Sequence, residues 1–210
     1  ASSDLFLKAA LTFFGVSLLL GLSPGPDNVF VLMQSATHGR RAGWLVTLGL
    51  CTGLLGHTAA VALGLAAVLA ASPIAFTVLK LAGAAYLIYL AWGAWHAPVS
   101  ALSAEATAGS GWRMYTRGVV MNLTNPKVGI FFLAFLPQFV QPEAGAVTQQ
   151  VVQLGALFVL ATLLVFGGFA WFASLIGGWL RRSPGAQRLL NRAAAVVFVG
   201  LAARLVWVQR

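Results

Sequence analysis

Leu22-Ser23-Pro24-Gly25-Pro26-Asp27 interrupts an apolar run that extends from about Leu5 to Ala36. As one straight helix that run would rise about 48 Å, against a hydrocarbon core of about 30 Å. Each proline removes a backbone donor and clashes one turn back, and the glycine adds freedom, so a break is expected here. Counted back from Arg40-Arg41, it falls near mid-membrane. Asn122-Leu123-Thr124-Asn125-Pro126-Lys127 repeats the device in a second run, about Gly118 to Val140, with Pro126 again near its middle. The two motifs superpose at an offset of 100 residues, which pairs Pro26 with Pro126 and Asp27 with Lys127.

The rest of the chain sets these motifs in lipid. Its 210 residues are 60% apolar and 8% charged, with a mean hydropathy of +0.88, whereas soluble domains average about 45 to 50% apolar and about 25% charged. A net charge of +9 would suggest nucleic acid in a soluble chain, but the apolar content argues against it. Besides the two interrupted runs, others cover about Trp44 to Ala70, Ile74 to Trp95, Leu154 to Ile176 and Leu189 to Val208. The expected fold is an all-α integral membrane protein with six transmembrane helices, the first and fourth broken near mid-membrane. Three spans separate the breaks, so a duplication would invert the second half: residues 1–97 and 113–210 would be inverted three-helix repeats, joined by an Ala/Ser/Gly-rich cytoplasmic linker, 98–112.

Loops rich in Lys and Arg stay cytoplasmic. Arg40, Arg41, Arg113, Arg117, Arg181, Arg182, Arg188 and Arg192 fall on one side of this topology, and only Lys8 and Arg210 on the other. Both termini are therefore expected outside. Ala1 to Lys8 lacks the basic segment and small-residue cleavage site of a signal peptide, so no cleavable leader is expected there.

Interrupted helices at matching places in inverted halves point to a transporter's binding site, and non-helical backbone at that depth must face protein or water. The half-helices after Pro26 and Pro126 offer free N–H groups and positive dipole ends that can hold a carboxylate. The candidate substrate site is thus Pro24, Gly25, Pro26, Asp27 and Asn28 with Asn122, Asn125, Pro126 and Lys127. Lys127 would hold a carboxylate while Asp27 takes an amino group or a proton; alternatively the two charges only neutralise one another. His57, halfway along the second span, joins Asp27 as a candidate proton relay, although a neutral imidazole bonded to a neighbouring helix is equally compatible. Tyr86 is a candidate cavity-lining residue. Gly49, Gly53 and Gly56 form a small-residue face for close helix contact, and Phe30, Phe131, Phe132, Phe135 and Phe139 are read as lipid-facing or packing residues.

No catalytic constellation is visible. Apart from Asp27 the acids are Asp4, Glu105 and Glu143, all in expected tails or loops, and His38, His57 and His96 lack ligand spacing. Cys51 is the single cysteine, and there is no phosphate-binding Gly-Lys-Ser/Thr loop. Neither an enzyme nor a metal or other cofactor is expected.

Leu22-Ser23-Pro24-Gly25-Pro26-Asp27, Gly39-Arg40-Arg41-Ala42-Gly43, Leu79-Lys80-Leu81-Ala82-Gly83-Ala84-Ala85-Tyr86-Leu87 and Asn122-Leu123-Thr124-Asn125-Pro126-Lys127 resemble, in order and spacing, the lysine-exporter superfamily, and within it the homoserine/threonine-exporter family. The resemblance implies a bacterial inner-membrane exporter of amino acids or close derivatives, with six spans, driven by the proton gradient and working by proton antiport. Its partners would be the amino acid, protons and membrane lipid, with no nucleic acid; a homodimer is left open. An uncoupled facilitator or channel is the alternative, and a metal-cation exporter or membrane-embedded enzyme the remote ones.

Overall fold

The computed structural model describes residues 2–23, 25–71, 73–96 and 110–207, which form helices and short connections; no strand occurs among the described residues. At the first break α1 (Ser2–Leu22) gives way to α2 (Pro26–His38) with a bend of 63°. Pro26 opens α2 at a position whose N–H has no intrahelical partner in any case. Gly39, at φ 85°, ends α2 in a conformation that glycine adopts without cost. α3 (Arg40–Ala71) starts at once, so Arg40 and Arg41 occupy its first turn, and the interruption expected across His38 to Arg41 is a one-residue turn.

α4 (Pro73–Trp95) follows, and after the linker come α5 (Gly111–Thr124) and α6 (Pro126–Ile130), bent by 51° where they meet. The helix that resumes at Pro126 is not regular. It keeps α geometry for five residues, widens into a π turn at Phe131–Phe135, and tightens to a 3-10 turn at Leu136–Phe139 around Pro137. α7 (Val147–Arg182) and α8 (Pro184–Trp207) complete the chain, with Ser183 alone between them in place of the longer interruption expected from Trp179 to Arg188. α7 is kinked at Phe172 (φ −104°, ψ 16°), four residues beyond Gly168. Gly167 marks a close crossing, since a Cβ there would run into the Trp44 ring.

Arg40–Gly64 and Val147–Ala173 are each long and apolar enough to cross a membrane. The bent pairs Phe6–Leu22 with Pro26–His38 and Gly111–Thr124 with Pro126–Phe139 raise the number of candidate spans to four if each pair is one span. Contacts fix the directions. α3 and α5 run parallel with their backbones touching: a Cβ on Gly49 would strike the Tyr115 carbonyl, one on Gly118 the Val46 carbonyl, and one on Gly53 the Asn122 side chain. α7 runs antiparallel to α3, with Gly155 beside Thr58 and Gly167 beside Trp44. α1 runs parallel to α7, with Phe13 near Phe158 and Gly21 against Val165. The two broken helices therefore pass through the molecule in opposite directions.

Two apolar clusters flank the breaks. One gathers Phe13, Phe131, Phe132, Phe135, Phe139 and Phe158, the other Phe30, Val31, Val46, Leu50, Val165 and Phe166. The phenylalanines of the broken helices are thus packing residues, with Phe131, Phe132 and Phe135 wholly buried.

Candidate functional site

A helix that stops inside an apolar body leaves its last carbonyls without intrahelical partners. Two side chains meet those of α1. Asn28 donates through Nδ2 to the Gly21 carbonyl at 2.6 Å, and the Lys127 ammonium donates to the Leu20 and Ser23 carbonyls at 3.5 and 3.3 Å. A cation at this position also faces the negative end of the α1 dipole. Gly25 makes room for it, because a Cβ there would lie 3.0 Å from Lys127 Nζ.

The complementary charge sits at the complementary end. Asp27 is in the first turn of α2, at the positive end of that dipole. Its Oδ2 accepts from Asn125 Nδ2 at 2.9 Å, while Asn125 Oδ1 accepts the Lys127 backbone N–H at 3.0 Å. Asn125 thus caps α6 and stands between the two charges. Asp27 and Lys127 are only 4% and 8% exposed, so each needs compensation: Asp27 finds it in the start of α2 and the Asn125 amide, Lys127 in the carbonyls at the end of α1.

A cavity of about 20 Å³ lies against Asp27, Asn122, Lys127 and Thr162, with Leu50, Phe158 and Phe166 as apolar wall. That is room for about one water molecule. Its apolar wall is shared with the two clusters, Phe158 belonging to the one around Phe13 and Phe131 and Leu50 and Phe166 to the one around Phe30. Four buried oxygens here have no hydrogen-bond partner: Ser23 Oγ, Asp27 Oδ1, Asn28 Oδ1 and Asn122 Oδ1. The carboxylate and amide oxygens among them accept only, so the site as built lacks donors.

Of the residues singled out from sequence, Gly25, Asp27, Asn28, Asn122, Asn125 and Lys127 come together. Pro26 and Pro126 are exposed and serve to start α2 and α6; Pro24 lies outside the described residues. The free N–H groups expected at both half-helices are partly occupied, since Asn125 takes that of Lys127. His57 is one residue removed from the cavity: its Nε2 lies 3.2 Å from the Asn122 carbonyl, which can only accept, so Nε2 carries a proton. Its ring lies near that of Phe132. Tyr86 is half-buried beside Tyr89, away from the cavity wall. Sequence reasoning missed Ser23 and the α1 carbonyls, as well as Thr162, whose signal was a lone hydroxyl midway along an apolar run. Among the described residues no group of three His, Cys, Asp or Glu could hold a metal ion.

Broken helices meeting at buried charges inside an apolar body are the architecture of a membrane transport protein, and comparison with known proteins agrees. A family model described as LysE type translocator matches residues 7–209. A homoserine/homoserine lactone efflux protein of Salmonella typhi is 36% identical over 190 residues, 90% of this chain and 91% of the relative, and its namesake in Salmonella typhimurium matches to the same extent. An uncharacterized membrane protein of Vibrio cholerae is 31% identical over 192 residues, covering 90% and 92%. No solved structure matches. The chain belongs to the LysE-type translocator family.

Proposed function

We propose that this protein exports a zwitterionic amino acid of the homoserine or threonine kind across a bacterial inner membrane by proton antiport, with six spans arranged as two inverted repeats and both termini outside. The observation that carries the reading is the mismatch inside the site: unpaired acceptors on Asp27, Asn28 and Asn122 beside one ammonium, Lys127, held at long distances by two carbonyls. A substrate α-ammonium supplies the missing donors, and its carboxylate takes Lys127 from those carbonyls. The names of the Salmonella relatives fit this chemistry, because homoserine and its lactone both carry the amino group.

Binding needs the cavity to open. Substrate would enter from the arginine-bearing side, the halves would rock about the two breaks, and Asp27, once its ammonium partner leaves outward, would take a proton that moves inward. Asn125 keeps the two charges apart throughout, and His57 holds the Asn122 carbonyl in place. The test is uptake of radiolabelled L-homoserine into proteoliposomes with and without an imposed pH gradient. Wild-type flux should respond to the gradient, and Asp27→Asn and Lys127→Ala should each lose most of it. Flux indifferent to the gradient would make the protein an uncoupled facilitator, and near-normal rates in both variants would remove Asp27 and Lys127 from the site.

A further inference from the structure

Gln34 is wholly buried on α2, and neither its amide oxygen nor its amide nitrogen has a hydrogen-bond partner. A primary amide carries two donors and one two-lone-pair acceptor, and burying it unpaired is costly. Its neighbour Ser35 is satisfied, donating to the Val31 carbonyl at 2.6 Å. Packing alone does not call for an amide here. At the same distance beyond the second break, the offset of 100 residues puts Ala134, buried among aromatic rings.

The placement of Gln34 gives the amide a use. Asp27, Val31 and Gln34 follow one another at i, i+4 and i+7 along one face of α2, so Gln34 lies about 10 Å beyond Asp27 along the helix, toward the end that bears Arg40. Val31, between the two on that face, belongs with Phe30, Leu50 and Phe166 to one buried apolar layer, of which Leu50 and Phe166 also line the cavity. At the level of that layer Arg117 places its guanidinium 4.7 Å from the Phe30 ring centre. Gln34 is therefore a buried, unpaired polar side chain on the Asp27 face of α2, about two turns nearer the arginine-bearing end.

The geometry points to Gln34 as a second binding subsite for the same zwitterionic head group, on the far side of the Phe30 layer from Asp27 and Lys127. Its carbonyl oxygen accepts from the substrate ammonium and its NH₂ donates to the carboxylate, so the solute is held before the layer parts and passed on to the acceptors around Asp27. This deepens the function proposed above and rests on it.

Kinetics of L-homoserine transport from the arginine-bearing side, in proteoliposomes, separate the two. Gln34→Leu and Gln34→Met remove the amide and keep its bulk; with two variants, a folding failure in one does not decide the matter. Both should raise KM at least tenfold with Vmax within a factor of two, while their melting temperatures stay level or rise, since an unpaired buried amide is gone. A merely structural amide, or one that binds only a water molecule, would leave KM unchanged, and that result overturns the subsite. A lowered Vmax at unchanged KM overturns it too. If Asp27→Asn and Lys127→Ala still abolish transport in that event, only the Gln34 inference fails; if wild-type protein moves no amino acid, both fall.

Discussion

After Pro26 a helix of 13 residues resumes and runs regularly to His38, whereas after Pro126 only five residues keep α geometry before the backbone widens at Phe131. The side chains that follow differ in the same sense. α2 buries Asp27, Asn28, Gln34 and Ser35; the stretch after Lys127 buries Phe131, Phe132, Phe135 and Phe139. The stretch after the first break thus supplies acceptors and that after the second one cation and an aromatic seal, with Asn122, before the second break, adding one more acceptor. Their anchoring differs as well. α5 lies backbone to backbone against α3 at Gly49 and Gly118, while α1 faces the Val165 side chain of α7 at Gly21, where an added Cβ would lie 3.4 Å away, an ordinary contact distance. Two breaks built alike can hence be unequal partners, with the second fixed to its neighbour and the first freer to slide.

The division of acceptors from cation is open to the hardest test. Hydrogen bonds to charged groups are worth about 1.5–3 kcal/mol, and about 1.4 kcal/mol is tenfold. Lys127→Ala should therefore lower the transport efficiency for homoserine by about 100-fold. Homoserine lactone has no carboxylate to lose a partner, so its loss should stay near tenfold or below, whereas Asp27→Asn should weaken both substrates alike. Equal losses of acid and lactone in Lys127→Ala would return Lys127 to a structural post at the end of α1.

The difference in anchoring predicts a difference in tolerance. Adding atoms to a filled contact costs about 1–3 kcal/mol. Gly118→Val would drive α5 off the Val46 carbonyl, and the melting temperature in detergent should fall by several degrees, at roughly 2–4 °C per kcal/mol for a chain of this size. Gly21→Ala needs no such shift and should melt within a degree or two of wild type. If Gly21→Ala proves as damaging as Gly118→Val, α1 is clamped as firmly as α5 and is not the freer partner.

The parts of this asymmetry that were legible in the sequence are those that proline writes covalently. Pro26 and Pro126 start their helices where expected, and Asp27 and Lys127 could be placed in first turns from spacing alone; Pro184 starts α8 five residues before the run expected from Leu189. The paired arginines misled: Arg40-Arg41 read as a loop because charge usually ends a span, yet a helix end at an interface accommodates them. Nothing in Phe131-Phe132-Leu133-Ala134-Phe135 announces a π turn, which comes from turning several rings into one core. Nor does local sequence say that Lys127 would seek the carbonyls of α1 or that Gln34 would lie unpaired. Those facts belong to contacts across about 100 residues of chain. Tyr86 shows the converse: a polar ring in an apolar run lies beside another ring, off the cavity.

The smallest effect is expected where the two breaks are joined. The first has an N-cap, Gly25, with no side-chain bond, since the Lys127 ammonium occupies the space a side chain would need. The second is capped by Asn125, whose other end donates to Asp27. Replacing a capping Asn by Ala typically costs about 1 kcal/mol, so Asn125→Ala should reduce transport by about fivefold for homoserine and its lactone equally. Asn125→Asp keeps the cap but turns an acceptor toward the Asp27 carboxylate, and like charges in a dry site repel. It should therefore transport less well than Asn125→Ala although it caps better. The reverse order would mean that capping of α6, and not the separation of acceptors from cation, is what Asn125 contributes.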